Sequence, residues 1–332
     1  MTTVAVLGAG SWGTTLANLL AHKGHEVRLW AYETEVVESI NQRHENSVFL
    51  TGCPLAESLH ASNDAVDVVA GAPVILSVIP SHAVRSVVGQ LDRHVEPTAL
   101  VVSATKGIET DTLDLMHEVL AECLPGRPLA VLSGPSFARE VYDGQPTAVV
   151  AASEHLLHAE TAQDVFATPR FRIYTNTDVV GAELGGSLKN VIAIAAGVLE
   201  GLGMGHNPRA ALITRGLAEI TRLGEALGAD PHTFAGLAGM GDLVLTAFGP
   251  QSRNHSLGVA LGQGESLEEY VARRRTVAEG VNTARAAVRL AQRVGVELPI
   301  TAKVAEILFE GKPPRETVAE LMGRDLKAER WA

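Results

Sequence analysis

Two lysines, an aspartate and an arginine are the residues of this sequence that could move a proton and hold an anion. Lys189 stands in Leu184-Gly185-Gly186-Ser187-Leu188-Lys189-Asn190, inside a helical pattern. Leu184, Leu188, Ile192 and Ala195 mark its apolar stripe, and Lys189 lies beside that stripe. Gly185 and Gly186, four and three residues earlier, clear space on the same face. Each glycine costs a helix interior about 1 kcal/mol against alanine, so another helix or a ligand must approach there. A lone helical lysine is more often solvated, and the residues alone leave its role open. Lys106 ends a strand in Ala104-Thr105-Lys106-Gly107. Asp242 falls in Gly239-Met240-Gly241-Asp242-Leu243, read as a glycine-dense turn between helices, with Thr246 four residues on. Ser252-Arg253-Asn254 follows in a loop rich in Gly and Pro. A guanidinium fork with hydroxyl and amide donors beside it suits a phosphate, although capping residues in a turn would look the same.

Other chemistries find less support. His155 and His158 lie one helical turn apart but lack a third ligand or a zinc-peptidase motif, and read as surface histidines. Cys53 and Cys123 are the only cysteines and give neither a disulfide framework nor a metal spacing. Gly-x-Ser-x-Gly is absent, so nucleophilic hydrolysis is unsupported. Arg273-Arg274-Arg275, the one basic run, reads as a solvated face.

The elements that must position these residues begin at the N-terminus. Val4-Ala5-Val6-Leu7 is a buried strand, Gly8-Ala9-Gly10-Ser11-Trp12-Gly13 follows at once, and Thr14 to Ala21 carries helical periodicity. Strand, G-x-G-x-x-G, helix is the context of a dinucleotide-binding turn. Gly8 permits the tight turn, Gly10 lets a pyrophosphate approach, and Gly13 lets helix and strand pack closely. The helix start offers free N–H groups and about half a positive charge to a diphosphate.

Further strands are expected at Glu26–Trp30, Pro73–Ser77, Ala99–Ser103, Leu129–Ser133, Thr147–Ala151 and Arg170–Thr175. Helices are expected between them, at Glu33–Arg43, His82–Leu91, Thr112–Cys123 and Glu154–Ala167, with a loop at Asn46–Leu55. This alternation is the grammar of an α/β, doubly wound, mostly parallel Rossmann-type sheet. Gly8, Ser77, Lys106 and Gly134 then fall at strand carboxyl ends, where such sheets bind ligands. From Asp178 the strand signals stop. Helices are expected over 178–200, 208–227, 233–237, 283–293, 301–309 and 315–322. We therefore expect a dinucleotide-binding unit over 1–177 and an all-α substrate unit over 178–332, with the site between them.

The 332 residues, 46% hydrophobic and 20% charged, suffice for two full cores. A formal net charge of −11 argues against nucleic acid or an anionic membrane as partner. The start shows no signal-peptide pattern, and the longest apolar run, near Val191 to Leu199, is too short for a bilayer. A cytoplasmic protein is expected.

Taken together, these motifs make the chain resemble the bacterial NAD(P)-dependent glycerol-3-phosphate dehydrogenases over nearly its whole length. The matching segments are Gly8 to Thr14, Ser103 to Glu109, Gly134 to Ala138, Leu188 to Ala193, Gly241-Asp242-Leu243 with Thr246, Ser252 to Asn254, Val277 to Val281, and Leu321 to Arg324. The resemblance implies reversible reduction of dihydroxyacetone phosphate to sn-glycerol 3-phosphate, the backbone for phospholipid synthesis. It implies Lys189 as general acid/base, and Lys106, Asp242, Ser252, Arg253 and Asn254 as holding the substrate, with Gly134 and Ser136 touching it. Ser11, Trp12, Ala138, Val277 and Glu279 would contact the cofactor beside Gly8, Gly10 and Gly13, with Lys106 and Arg253 within its reach. A homodimer is common in the family.

A free lysine titrates near 10.4 and needs lowering by about two to three units, or about 3–4 kcal/mol, to exchange protons near neutrality. Burial and a second cation such as Lys106 push that way. Asp242 pushes the other way, so its expected task is orientation, with Thr246. One segment departs from the family. Many members carry Arg or His after the second strand, where NADP's 2′-phosphate lies, but here it reads Trp30-Ala31-Tyr32-Glu33. Glu33, twenty-five residues after Gly8, suits the ribose of NAD and would repel a 2′-phosphate. It could equally be the first acid of the next helix. Alternatives are a related two-domain reductase of another small substrate, such as a ketopantoate or hydroxyacyl-CoA reductase, or a non-catalytic dinucleotide-binding redox sensor.

Overall fold

The computed structural model describes residues 1–273, 278–326 and 328–329. Eight strands form one sheet: β1 (Thr3–Leu7), β2 (Glu26–Trp30), β3 (His60–Ser62), β4 (Val74–Ser77), β5 (Leu100–Ser103), β6 (Leu129–Ser133), β7 (Thr147–Ala152) and β8 (Phe171–Asn176). Their order is β3-β2-β1-β4-β5-β6-β7-β8. Helices α1 (Ser11–His22), α2 (Thr34–Arg43), α3 (Ala65–Val69), α4 (Val84–Val88), α5 (Met116–Cys123), α6 (Ala138–Tyr142) and α7 (Leu156–Phe166) lie between the strands. The chain then continues as α8 (Val179–Gly201), α9 (His206–Ala226), α10 (Pro231–Phe234), α11 (Asp242–Phe248), α12 (Arg253–Gly262), α13 (Leu267–Ala272), α14 (Glu279–Val294), α15 (Pro299–Glu310) and α16 (Pro314–Met322).

The sheet is doubly wound and mostly parallel. Alternate strand residues face opposite ways: Val4, Val6, Leu76 and Val102 pack under α1, while Ala5, Ile75 and Val101 pack with Met116 and Leu120 on the other face. The chain reverses between β1 and β4, which opens a crevice beyond their carboxyl ends. β7 and β8 are the exceptions: β7 runs antiparallel to β6, and β8 runs parallel to β7. The residues between β6 and β7 form only the five-residue α6, held to α1 by Thr15 Oγ1 donating to Ala138 O at 3.3 Å. No helix long enough to recross the sheet intervenes, so the chain turns straight back.

Several elements differ from the sequence reading. β3 was not expected, being three residues with no hydrophobic run. The helix expected from Thr112 starts at Met116, because Leu113 adopts a φ of 71° and Leu115 bridges to Ile108. The expected 82–91 helix is a short 3-10 turn followed by five α-helical residues. The turn read at Gly239–Leu243 and the loop read at Ser252–Asn254 lead into α11 and α12, and α13 was not expected. In α12, Gly258 and Gly262 face α8 in place of large apolar residues, so hydrophobic periodicity gave no signal there.

Helix α8 is the axis of the helical half. Asp178 caps it, accepting from Gly181 N at 2.8 Å. Instead of the expected single apolar stripe, it is buried on all sides from Gly181 to Leu199. At 23 residues and a mean hydropathy of 1.3 it is long and apolar enough to cross a bilayer, but 89% of that window is buried inside the fold. The run read as too short to span a bilayer is the end of this helix. Its seam with α12 runs backbone against backbone: a Cβ on Gly197 would lie 2.1 Å from His255 O, and one on Gly258 2.0 Å from Ile194 O. α8 is also tied to the sheet half. Its Glu183 accepts from the backbone N–H of His117, in the first turn of α5, at 3.0 Å, and lies 2.7 Å from the His117 ring.

Candidate active site

The glycine-rich turn meets its geometric requirements. Gly8 has φ of +116°, and a Cβ there would come within 2.7 Å of Val78 O, beyond β4. A Cβ on Gly13 would collide with Gly8 O at 1.9 Å, so α1 crosses its own strand at backbone distance. A Cβ on Gly10, by contrast, would meet nothing within 4 Å. That open position lies at the start of α1, whose first-turn N–H groups have no partner within the helix. A pyrophosphate fits this cradle. Trp12 turns its indole toward Phe171, ring centroids 6.3 Å apart, so its first-turn N–H is what it offers the crevice. Ser11 is half-buried beside it.

Around the rim, Tyr32 is 81% exposed and Glu33 is the N-cap position of α2, making no side-chain capping bond. Ala138 opens α6 and is half-buried. Glu279 opens α14 and reaches the ends of β4 and β5, where Ser81 Oγ donates to it at 2.9 Å. Gly107 must lack a side chain there, because a Cβ would lie 2.6 Å from Ser81. Burial pushes the Glu279 carboxyl above the usual range, against the pull of Ser81, His82 and Arg253. Val277 lies outside the described residues.

Lys189, Lys106, Asp242 and Thr246 converge. Lys189 Nζ donates to Asp242 Oδ1 and, at 2.8 Å, to Thr246 Oγ1. Lys106 Nζ donates to Asp242 Oδ2 at 2.6 Å and to Gly134 O at 3.1 Å. Asp242 is wholly buried, and Lys189 is 7% exposed. Asp242 sits at the first position of α11, after a π-turn over Leu237–Gly241, rather than in an irregular turn. Such a turn adds a residue to the local repeat and re-aims the helix beyond it. Thr246 lies one turn on and donates to Asp242 O at 2.7 Å.

The glycines beside Lys189 are explained by polypeptide on both sides. A Cβ on Gly185 would lie 2.4 Å from Ala238 O, and one on Gly186 2.7 Å from Ser133 Oγ and 3.6 Å from Lys106 Cγ. Burial lowers the Lys189 ammonium well below its ordinary value, to about 7, and Lys106 adds to the fall while Asp242 opposes it. The group therefore carries and releases a proton near neutrality.

Gly134, with φ of +139°, turns the chain after β6, and its carbonyl also accepts from Ser136 Oγ at 3.0 Å. Ser252 caps α12, accepting from His255 N at 3.2 Å, and Arg253 is exposed at the helix's first position. Asn254 differs from the sequence reading. Its amide donates to Asn190 Oδ1 and accepts from Gly280 N, both at 2.9 Å, so the side chain joins α12 to α8 and α14. What it offers an anion is its first-turn backbone N–H. That bond sets the start of α12 beside Asn190, the residue after Lys189. Asn190 and Ser81 escaped the sequence reading; adjacency to Lys189 and position just past β4 were the available signals.

His155 and His158 pack edge to face at 5.3 Å, and among the described residues no group of three His, Cys, Asp or Glu could hold a metal. Arg273 pairs with Glu265, while Arg274 and Arg275 lie outside the described residues. A cavity of about 460 Å³ between α1, α6 and the turn before β8 shares no lining residue with the site.

Residues 3–159 match the family described as NAD-dependent glycerol-3-phosphate dehydrogenase N-terminus, and residues 178–319 its C-terminus. The chain is 58% identical over 331 residues to a glycerol-3-phosphate dehydrogenase [NAD(P)+] of Geobacter sulfurreducens, covering 99% of each. A crystal structure of glycerol-3-phosphate dehydrogenase from Coxiella burnetii superposes with a TM-score of 0.94 at 41% identity, covering 97% of this chain and 99% of that one. A ketopantoate reductase from Ralstonia eutropha, at 18% identity and a TM-score of 0.61, shares the fold alone.

Proposed function

Since the chain belongs to the NAD-dependent glycerol-3-phosphate dehydrogenase family, we propose that its cleft interconverts dihydroxyacetone phosphate and sn-glycerol 3-phosphate, with Lys189 as proton donor and acceptor. The observation that carries the residue assignment is one buried carboxylate, Asp242, held between two lysines. The nicotinamide, when bound, supplies or accepts the hydride. Reduction at the carbonyl carbon leaves an alkoxide, and Lys189 in its ammonium form gives that oxygen a proton. In oxidation the neutral amine takes the alcohol proton. Asp242 and Thr246 hold Nζ in one place, and Lys106 keeps Asp242 from fixing Lys189 in its charged form.

Ser252, Arg253 and the first-turn N–H groups of α12 receive the phosphate, with Gly134 and Ser136 beside the triose. Gly8, Gly10, Ser11, Trp12 and Gly13 hold the pyrophosphate, and Ala138 and Glu279 face the cofactor. NAD(H) is favoured over NADP(H), because Tyr32 and Glu33 put no cation after β2 and Glu33 opposes a 2′-phosphate. We read residues 1–177 as the nucleotide-binding unit and 178–332 as the substrate unit of a cytoplasmic homodimer that feeds phospholipid synthesis. Steady-state oxidation of NADH and NADPH, side by side with dihydroxyacetone phosphate, tests the reading. Turnover with NADH at the higher kcat/KM is expected. Turnover of ketopantoate in place of the phosphorylated triose would replace the substrate, and cofactor binding without turnover of either would leave a sensor.

A further inference from the structure

Asn46 is polar, completely buried, and distant in sequence from the turn it touches. Its Nδ2 donates to Ala9 O and to Thr14 Oγ1, both at 2.8 Å, and its Oδ1 accepts from Phe49 N at 2.9 Å and Val48 N at 3.3 Å. Thr14 Oγ1 also donates to Ala9 O, at 3.1 Å. The Ala9 carbonyl, in the middle of Gly8-Ala9-Gly10, is thus held from inside the fold by two donors.

The peptide plane carries that constraint outward. In a trans peptide the C=O of Ala9 and the N–H of Gly10 share one plane and point in opposite directions. Drawing the oxygen inward turns the Gly10 N–H outward, to the side where the turn is open. Gly10, on one side of this plane, has no Cβ to restrict its φ, so the plane can rotate unless something holds it. Rotated, it would present an oxygen to an incoming anion. We propose that Asn46, acting through the Ala9 carbonyl, is a positioning residue that keeps the Gly10 N–H aimed at the diphosphate of the dinucleotide. An amide is required because one end must donate twice while the other accepts twice, which no carboxylate can do.

The inference rests on reading this turn as the cofactor cradle, and its test separates the two. In Asn46→Asp the acceptor bonds to Phe49 and Val48 remain, while the donor arm becomes a carboxylate facing a carbonyl. NADH binding is titrated by quenching of protein fluorescence, without ketone, alongside ADP and adenosine as probes. Expected is a rise of about tenfold in Kd for NADH and ADP, little change for adenosine, and a kcat at saturating NADH that falls far less than Kd rises. Unchanged NADH and ADP binding in folded Asn46→Asp overturns the proposal, as does an equal loss for adenosine. If that variant does not fold, Thr14→Val removes the second donor at constant shape and should weaken NADH and ADP about threefold; no weakening there overturns it equally. Wild-type protein that binds NADH yet turns over no dihydroxyacetone phosphate would sink the activity and leave this inference standing.

Discussion

Lys106 and Lys189 approach one another from opposite halves of the chain and donate to opposite oxygens of Asp242. With Asp242 fully buried, each ammonium gains a partner, but two positive charges share one negative charge. Burial is what chiefly lowers the more enclosed amine, Lys189, to about 7; Lys106 adds to the fall and Asp242 opposes it. A proton that leaves readily is the consequence of this arrangement.

Replacing Lys189 by Ala removes the proton donor and leaves the glycine turn untouched. Turnover should fall by about 10²- to 10⁴-fold, with NADH still binding within a fewfold of wild type. A variant keeping more than about a tenth of the wild-type rate would end the assignment.

The depressed value gives rate a signed pH dependence. Ketone reduction needs the ammonium, so kcat/KM should decline as pH rises through about 7. Alcohol oxidation needs the amine and should gain over the same interval. Stability obeys the linkage: the unfolded chain binds more protons between about 7 and an ordinary lysine value, so this group's contribution rises with pH across that window and is flat below it. Urea midpoints of wild type and Lys189→Met across that range would show the difference.

Asp242→Asn leaves the buried Lys189 amine and the half-buried Lys106 ammonium without a counter-charge. A loss of about 3–5 kcal/mol is expected, read as a fall in the urea midpoint. Because Asp242 opposes the lowering of Lys189, the midpoint of the surviving reductive pH profile should move to lower pH. A shift upward would contradict the electrostatic account.

Arg253→Ala should raise KM for dihydroxyacetone phosphate by about tenfold or more, with a smaller effect on kcat and on NADH binding. An unchanged KM places the phosphate elsewhere.

Glu183 joins the halves by accepting from the first turn of α5 and pairing with the His117 ring. Burial depresses that imidazole, but the Glu183 carboxylate outweighs it and the net shift is upward. The pair's contribution is therefore fully present below the ordinary histidine value and is lost as pH rises through the raised one. Glu183→Gln should lower the melting temperature most at acidic pH, with the gap to wild type closing as pH rises. A gap independent of pH would assign the loss to the backbone bond alone.

The sequence by itself determined seven of the eight strands and the glycine turn after β1, because both rest on local patterns. The apolar runs at Val4–Leu7 and Leu129–Ser133 have no other stable place, and Gly8 and Gly13 answer local demands, a positive φ and a carbonyl five residues back. It also singled out Lys189, from two glycines that a helix would otherwise avoid. Tertiary structure alone decided what those glycines admit, namely the π-turn at Ala238 and the side chains of Ser133 and Lys106. It likewise decided that Asp242 lies on a helix and that Asn254 ties helices together. The shift of Lys189 comes from burial and from charges 53 and more residues away in the chain. Desolvation and Coulomb interactions depend on distance in space, which residue spacing along the chain does not encode.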